Sequence, residues 1–308
     1  MTLWPPRPRL GRRFYKAHGL GNDYLVFEEE PGWVASEVNV ARVCDRFRGP
    51  GGDGMVALLS DTRSDAAEAR HLEVRLRMFN PDGGEFERSG NGLRVLGSYL
   101  ARRSPKLRSA LVHVGGDRVS MAFHGRTGPV HDISVAMGRA RTGAGAVGLD
   151  AAVLRTDGTM PGPDGEPLAV IPVSVGNPHI VVLCEGEGDA LTEERLGRIG
   201  PYLVAHPALR EGANVQLAVV GRAGRARALI WERGVGRTSA SGTSSCAVAV
   251  ALVSTGRLAP GPVTVEMPGG ALQVDVTAGL DVTLRGPVEE VYEGTLSEEL
   301  TATFEPAS

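Results

Sequence analysis

The order of apolar and polar positions predicts short elements of both kinds. Tyr24–Phe27 is an apolar run that reads as a strand, and residues 35–47, ASEVNVARVCDRF, have helical spacing that places Val38, Val43 and Phe47 near one face. The loop GPGGDG at 49–54 breaks that pattern. Strands are expected at Met55–Leu59 and Glu73–Phe79, the second leading into NPDGGEFERSGNG. Leu93–Leu100 has no period-two alternation and reads as a helix started at the preceding glycines. Leu111–Phe123 reads as a hairpin around GGD, and 139–148 as a Gly- and Ala-rich connection.

The second half opens with strands at Leu168–Val175 and Ile180–Leu183 around a GNPH turn. A helix at Thr192–Ile199 and a loop through His206 precede two strands, NVQLAVV and ARALIWERG. Small and branched side chains from Cys246 to Val253 read as a buried helix, and VTVEMPGGALQVDV with DVTLRG reads as a β-meander. Regular strand–helix–strand units of a doubly wound parallel sheet are not evident.

A weak internal repeat ties the halves together. A strand ending in MFNPDGG leads to SGNG and a helix, and a strand ending in IWERGVG leads to SGTS and a helix. Ser89 and Ser241, the matching serines, lie 152 positions apart, about half the chain. This spacing suggests two pseudo-symmetric halves.

Composition narrows the class. With 308 residues, 42% hydrophobic and 22% charged, the chain suits about two folded domains. Its 42 glycines predict many tight turns. A net charge of -3 supplies no global field for a polyanion, so no nucleic-acid partner is expected. Three widely spaced cysteines, Cys44, Cys184 and Cys246, form no disulfide framework or metal spacing and fit a reducing, cytoplasmic setting. The N-terminal MTLWPPRPRLGRRF lacks the apolar stretch of a signal peptide, and no run approaches a membrane span; no membrane partner is expected.

A Ser-Gly step opening a helix puts unpaired backbone N–H groups beside a hydroxyl, a suitable grip for a carboxylate or phosphate. The same serines are also ordinary N-caps. Asn80, Asn91, Asn177, Asn214 and Thr243 all lie near Gly-rich turns and together could serve a small polar ligand. GPGGDG precedes a strand rather than opening a helix, so it is not a dinucleotide loop. His179 and the Glu232–Arg233 pair are the titratable candidates, each also explicable as structural. No Lys is placed for a Schiff base and no His/Cys cluster has metal spacing, so no cofactor and no metal is expected.

The segments KAHGLGNDYLVFE, RFRGPGGDG, RMFNPDGGEFERSGNG, GNPH, GANVQ, WERGVG and SGTSSCA occur in the order found in diaminopimelate epimerases, and the chain resembles that family over nearly its whole length. The resemblance implies an α/β (α+β) fold of two pseudo-symmetric domains, each a curved, mainly antiparallel sheet around a central helix, with the ligand held between them. The domains would be 1–137, joined by the returning segment 287–308, and 138–286. It further implies a small-molecule amino-acid substrate; Asn22, Asn80, Asn177, Asn214 and Arg233 match residues that hold it. Gly90 with Asn91, and Gly242 with Thr243, match donors to the reacting carboxylate. Glu232 matches an acid near the α-amino group, and His179 a neighbour of the catalytic pair. A planar guanidinium at Arg233 would pair with a second carboxylate or amino-acid end of the ligand.

The departure is at the centre. Ser89 and Ser241 stand where the family carries the two cysteines that act as thiolate base and thiol acid. A serine hydroxyl is a far weaker acid than a thiol. Cys246, four positions past Gly242, reads as a small buried residue rather than a substitute. Arg237 stands where the family usually has Glu, and a positive charge beside the second centre is the expected consequence. The leading expectation is an isomerase that interconverts stereoisomers of a diamino-dicarboxylic or related amino acid by cofactor-free Cα proton transfer, as in lysine biosynthesis, with Ser89, Ser241, His179 and Glu232 as catalytic candidates. The alternatives are a specialised isomerase, dehydratase or cyclase of secondary metabolism on the same fold, and a catalytically silent amino-acid-binding protein. A homodimer is compatible with the sequence.

Overall fold

The computed structural model describes residues 6–61, 68–86, 89–184, 186 and 191–306. The N-terminal expectation therefore lies partly outside the described residues. The chain forms two compact units, Met1–Val135 with Pro287–Ser308, and Ala136–Gly286.

The first unit begins with β1 (Arg9–Gly19) and β2 (Asn22–Glu29), an antiparallel hairpin that the sequence pattern did not predict on its first side. Leu20 and Gly21, at φ 55° and 89°, form its two-residue turn; both central positions need the left-handed region, which glycine occupies freely and Leu20 does not. The turn delivers Asn22 to the first position of β2. After β3 (Trp33–Val34) comes α1 (Glu37–Cys44), capped by Ser36, whose hydroxyl accepts the Asn39 N–H. Here the structure corrects the expected inward face. The helix ends at Cys44, with extended backbone at Asp45, and buries Asn39, Val40, Val43 and Cys44; Val38 and Phe47 are exposed.

β4 (Gly54–Asp61) runs parallel to β2, and β5 (His71–Phe79) antiparallel to β4. The short β6 (Glu85–Phe86) folds back on β5 before α2 (Gly90–Arg103); β7 (Ser109–Val114) then lies parallel to β5. β8 (Asp117–Thr127) and β9 (Val130–Arg139) continue as antiparallel hairpins. The expected hairpin around GGD turns on Gly115 and Gly116, both at positive φ.

The second unit repeats this order. Following β10 (Arg141–Thr142) and β11 (Thr159–Pro161), the hairpin β12 (Pro167–Ser174) and β13 (Pro178–Leu183) is succeeded by α3 (Glu193–Val204) and by β14 (Asn214–Val220), parallel to β13. α3 outruns its expected end at Ile199 and passes through Pro201. Burial of Leu203 beside Leu196 and Ile199 outweighs the one ladder bond that proline cannot donate. β15 (Arg225–Glu232) and β16 (Gly236–Thr238) lead into α4 (Gly242–Ser254); β17 (Gly261–Met267), parallel to β15, then pairs with β18 (Gly270–Val276). β19 (Asp281–Thr295) pairs first with β18 and, at 289–295, with β1; α5 (Glu298–Ala302) follows.

Each unit is thus a mixed, mainly antiparallel sheet with one helix inside it. α4 is apolar on every side, its residues from Ser244 to Val253 are all buried, and it packs on β12–β15, β17 and β18. Strands that all reach one helix must curve around it, and a helix surrounded in this way needs no polar face. α2 packs likewise on β1, β2, β4 and β8. Gly97 makes the fit close: a Cβ there would lie 2.6 Å from the Met121 methyl. The repeat read from the sequence is the β5–β6–α2–β7 crossover matched by β15–β16–α4–β17.

Candidate active site

In the first unit Ser89 is the N-cap of α2, and its Oγ accepts the Gly92 N–H at 3.1 Å. Gly90 and Asn91 occupy the first helical positions, whose N–H groups have no intrahelical acceptor and carry the positive end of the helix dipole. Asn91 is tied down: its Nδ2 donates to the backbone O of Asn22 at 2.6 Å and to the Asn22 side chain at 2.7 Å, while its Oδ1 accepts from Arg94. Asn22 in turn donates to Asp53 at 2.9 Å. Most of the polar capacity of the Asn22 and Asn91 side chains is spent inside the protein.

A charge network backs this arrangement. Arg46 binds both Asp23 (2.7 and 3.1 Å) and Asp53 (2.7 Å), and Lys16 lies 2.9 Å from Asp23. Burial alone would push the Asp23 carboxyl up, but Arg46 and Lys16 together hold it well below the usual range. Asn80 is exposed in the turn between β5 and β6, where its backbone closes onto Gly83 and Gly84.

In the second unit Ser241 caps α4, accepting the Ser244 N–H at 3.4 Å, with Gly242 and Thr243 at the first helical positions. Asn214, at the start of β14, accepts the Arg233 N–H at 3.0 Å. The Arg233 side chain is exposed and one of its Nη atoms donates to the carbonyl of Glu211. Glu232 is half-buried at the end of β15.

His179 is fully buried, and both ring nitrogens are engaged: Gln216 Nε2 approaches Nδ1 at 3.1 Å and the other nitrogen lies 2.9 Å from Asn177 Oδ1. An amide N–H facing Nδ1 makes that nitrogen the acceptor, so Nε2–H donates to Asn177. Burial first, with Arg233 adding repulsion, drops the imidazole to about 3. His179, expected as a candidate base, is in this structure a neutral imidazole with both ring nitrogens taken up by neighbouring side chains. A histidine that resists protonation only in the folded state costs stability in acid. As pH falls below its ordinary value of 6.5 the unfolded chain takes up a proton that the folded chain refuses until about pH 3. Denaturation followed over that window should show stability falling with pH by up to about 1.4 kcal/mol per unit from this residue. In H179Q that part of the slope should vanish; an unchanged slope would contradict the assignment.

Arg237 also departs from expectation. It makes a two-point ion pair with Glu193 in the first turn of α3, which lowers the Glu193 carboxyl and offsets the positive charge that was expected to stand alone. Cys246 is buried in α4, as expected. Sequence reasoning missed Gln216, Tyr24, Arg46 and Asp53. For Gln216 a signal existed, a polar residue inside the apolar run NVQLAVV; Tyr24 resembled any other strand aromatic.

A profile of the diaminopimelate epimerase family matches residues 14–143 and 171–291. A diaminopimelate epimerase from Desulforudis audaxviator is 36% identical over 293 residues, covering 91% of this chain and 98% of that protein. The chain belongs to the diaminopimelate epimerase family. It is accordingly an enzyme of the isomerase and epimerase class. Solved structures extend the likeness in fold: a predicted epimerase from Pseudomonas aeruginosa has a TM-score of 0.65 at 21% identity, covering 93% of this chain and 99% of that one. A phenazine biosynthesis protein from Bacillus anthracis has a TM-score of 0.62 at 15% identity, covering 92% and 98%. The α+β architecture expected of the family is thus present. No helix among the described residues is long and apolar enough to cross a membrane.

Proposed function

We propose that this member of the family epimerises a diamino-dicarboxylic or closely related amino acid by cofactor-free proton transfer at Cα. The observation that carries the reading is the pair of equivalent helix starts: Ser-Gly steps cap α2 and α4 at matching points of the two units, each setting N–H groups that have no intrahelical acceptor beside a hydroxyl. Such donors suit a carboxylate that gathers charge during the reaction. The relatives named diaminopimelate epimerase support a substrate with two amino-acid ends, and the exposed guanidinium of Arg233 suits the distal one.

Of the two titratable candidates in the second unit, His179 is sealed and neutral whereas Glu232 keeps contact with solvent. Glu232 is therefore assigned as the base. It takes the Cα proton, the bonding pair passes into the carboxylate as an enediolate, and the N–H groups of Gly242 and Thr243 at the start of α4 suit the new charge. A proton delivered from solvent to the other face of Cα completes the inversion, and exchange with solvent restores Glu232.

The test is incubation of the purified protein with LL-diaminopimelate, followed by chiral separation. The reading expects the meso isomer to form. Absence of any new stereoisomer, with no deuterium entering Cα in D2O, would contradict it and favour a reaction in which the serines only orient a different substrate.

A further inference from the structure

We infer that Tyr24 is a positioning residue that fixes Ser89 as a hydrogen-bond donor toward the ligand. The Tyr24 hydroxyl donates to Ser89 Oγ at 3.2 Å, and the Gly92 N–H donates to the same oxygen at 3.1 Å. A hydroxyl oxygen has two acceptor sites. Both are filled, so what Ser89 has left to offer is its own O–H. The group it meets must be an acceptor, a carboxylate oxygen or a carbon gaining negative charge, and not a C–H to be deprotonated.

The aromatic ring is built into place for this. Tyr24 is 6% exposed and pairs with Ala17 on β1 and Gly54 on β4. A Cβ on Gly54 would lie 2.5 Å from Tyr24 Cε1, and one on Gly92 would lie 3.0 Å from it. Two glycines therefore leave the slot in which the ring lies, one beside it on the sheet and one in the first turn of α2. Phenylalanine would fill the slot equally well but could not donate. The second unit is not equipped in the same way: among the described residues Ser241 Oγ receives only the longer 3.4 Å bond from Ser244. The two caps are alike in backbone and unlike in hydroxyl chemistry.

The inference deepens the proposed reaction, since it makes Ser89 the donor and leaves the base elsewhere, but its test needs no turnover. A thiol introduced by S89C reports on its donors, because a hydrogen bond to the thiolate favours the charged form and lowers its pKa. The native cysteines Cys44, Cys184 and Cys246 are all buried and burial raises Cys44 and Cys184, which keeps their background low. Among the described residues, the charged groups on the elements packed around this cap include Arg94, Arg102 and Arg103 on α2, Arg9, Arg12, Arg13, Lys16 and His18 on β1, Asp23, Glu28 and Glu29 on β2, Asp53 ahead of β4, and Arg77 with Glu85 on β5 and β6. All are common to S89C and S89C/Y24F, so their fields cancel in the comparison.

The experiment measures the rate of iodoacetamide alkylation at position 89 against pH in both variants, with thermal melts to verify that each is folded. The midpoint in S89C is expected about one pH unit below that in S89C/Y24F. Coincident midpoints in two folded proteins would overturn the inference. Should the proposed epimerisation fail while the midpoints separate, the Tyr24–Ser89 arrangement stands and only the reaction is wrong.

Discussion

Exchange of the substrate α-proton with D2O should accelerate by about 10²–10⁴-fold when both cap serines become cysteines in S89C/S241C. The backbone frame that a thiolate needs is already present. At position 89 a sulfur would inherit the Gly92 N–H and the Tyr24 hydroxyl as donors, and at position 241 the Ser244 N–H. Both positions sit at helix starts, where the dipole favours an anion. A thiol begins near pKa ~8.5 and such surroundings lower it toward neutrality, whereas a serine hydroxyl forms little alkoxide under the same influences. Deuterium entry into diaminopimelate, followed by NMR, is the measurement. No gain over the wild type would show that the caps do not face the reacting carbon.

The opposite effect is expected from E232Q. Gln keeps the size of the side chain and removes its capacity to take a proton, so exchange should fall by about 10²–10⁴-fold, the usual worth of a positioned general base. H179Q provides the contrast. The imidazole is already neutral at any pH near 7 and acts by donating to Asn177, so its loss should weaken substrate binding more than it slows the proton step. Steady-state kinetics separates the two, with kcat reduced in E232Q and KM raised in H179Q. Equal losses of kcat in both would return His179 to the chemistry.

Much of the fold was legible because it rests on local pattern. The SGNG and SGTS steps announced the two helix starts, and the small apolar run after Cys246 announced a helix buried on all sides. What failed to show was whatever depended on distant partners. Periodicity alone put Val38, Val43 and Phe47 near one face of α1, but the helix stops at Cys44 and the face it buries joins Val43 to Asn39, Val40 and Cys44 while Val38 and Phe47 are exposed. β1 went unrecognised because RLGRRFYKAHG is dense in charge and its buried residues do not alternate throughout: Leu10 with Gly11 and Phe14 with Tyr15 are adjacent pairs, and its pairing with β2 and with β19 shifts register along the strand. The site followed the same division. The caps and turn asparagines were visible as motifs, while the neutrality of His179 came from burial within the second unit, and the placing of Tyr24 from two glycines 30 and 68 positions further along the chain.

The account rests on a proton moved at Cα by side chains of this chain, and one experiment reaches that point most directly. Wild type, E232Q and S89C/S241C are each incubated with LL- and meso-diaminopimelate in D2O and the Cα–H signal is followed by NMR. The predicted result is slow loss of the signal in wild type, none in E232Q and rapid loss in S89C/S241C. A wild-type rate that survives E232Q and does not rise in S89C/S241C would contradict the account.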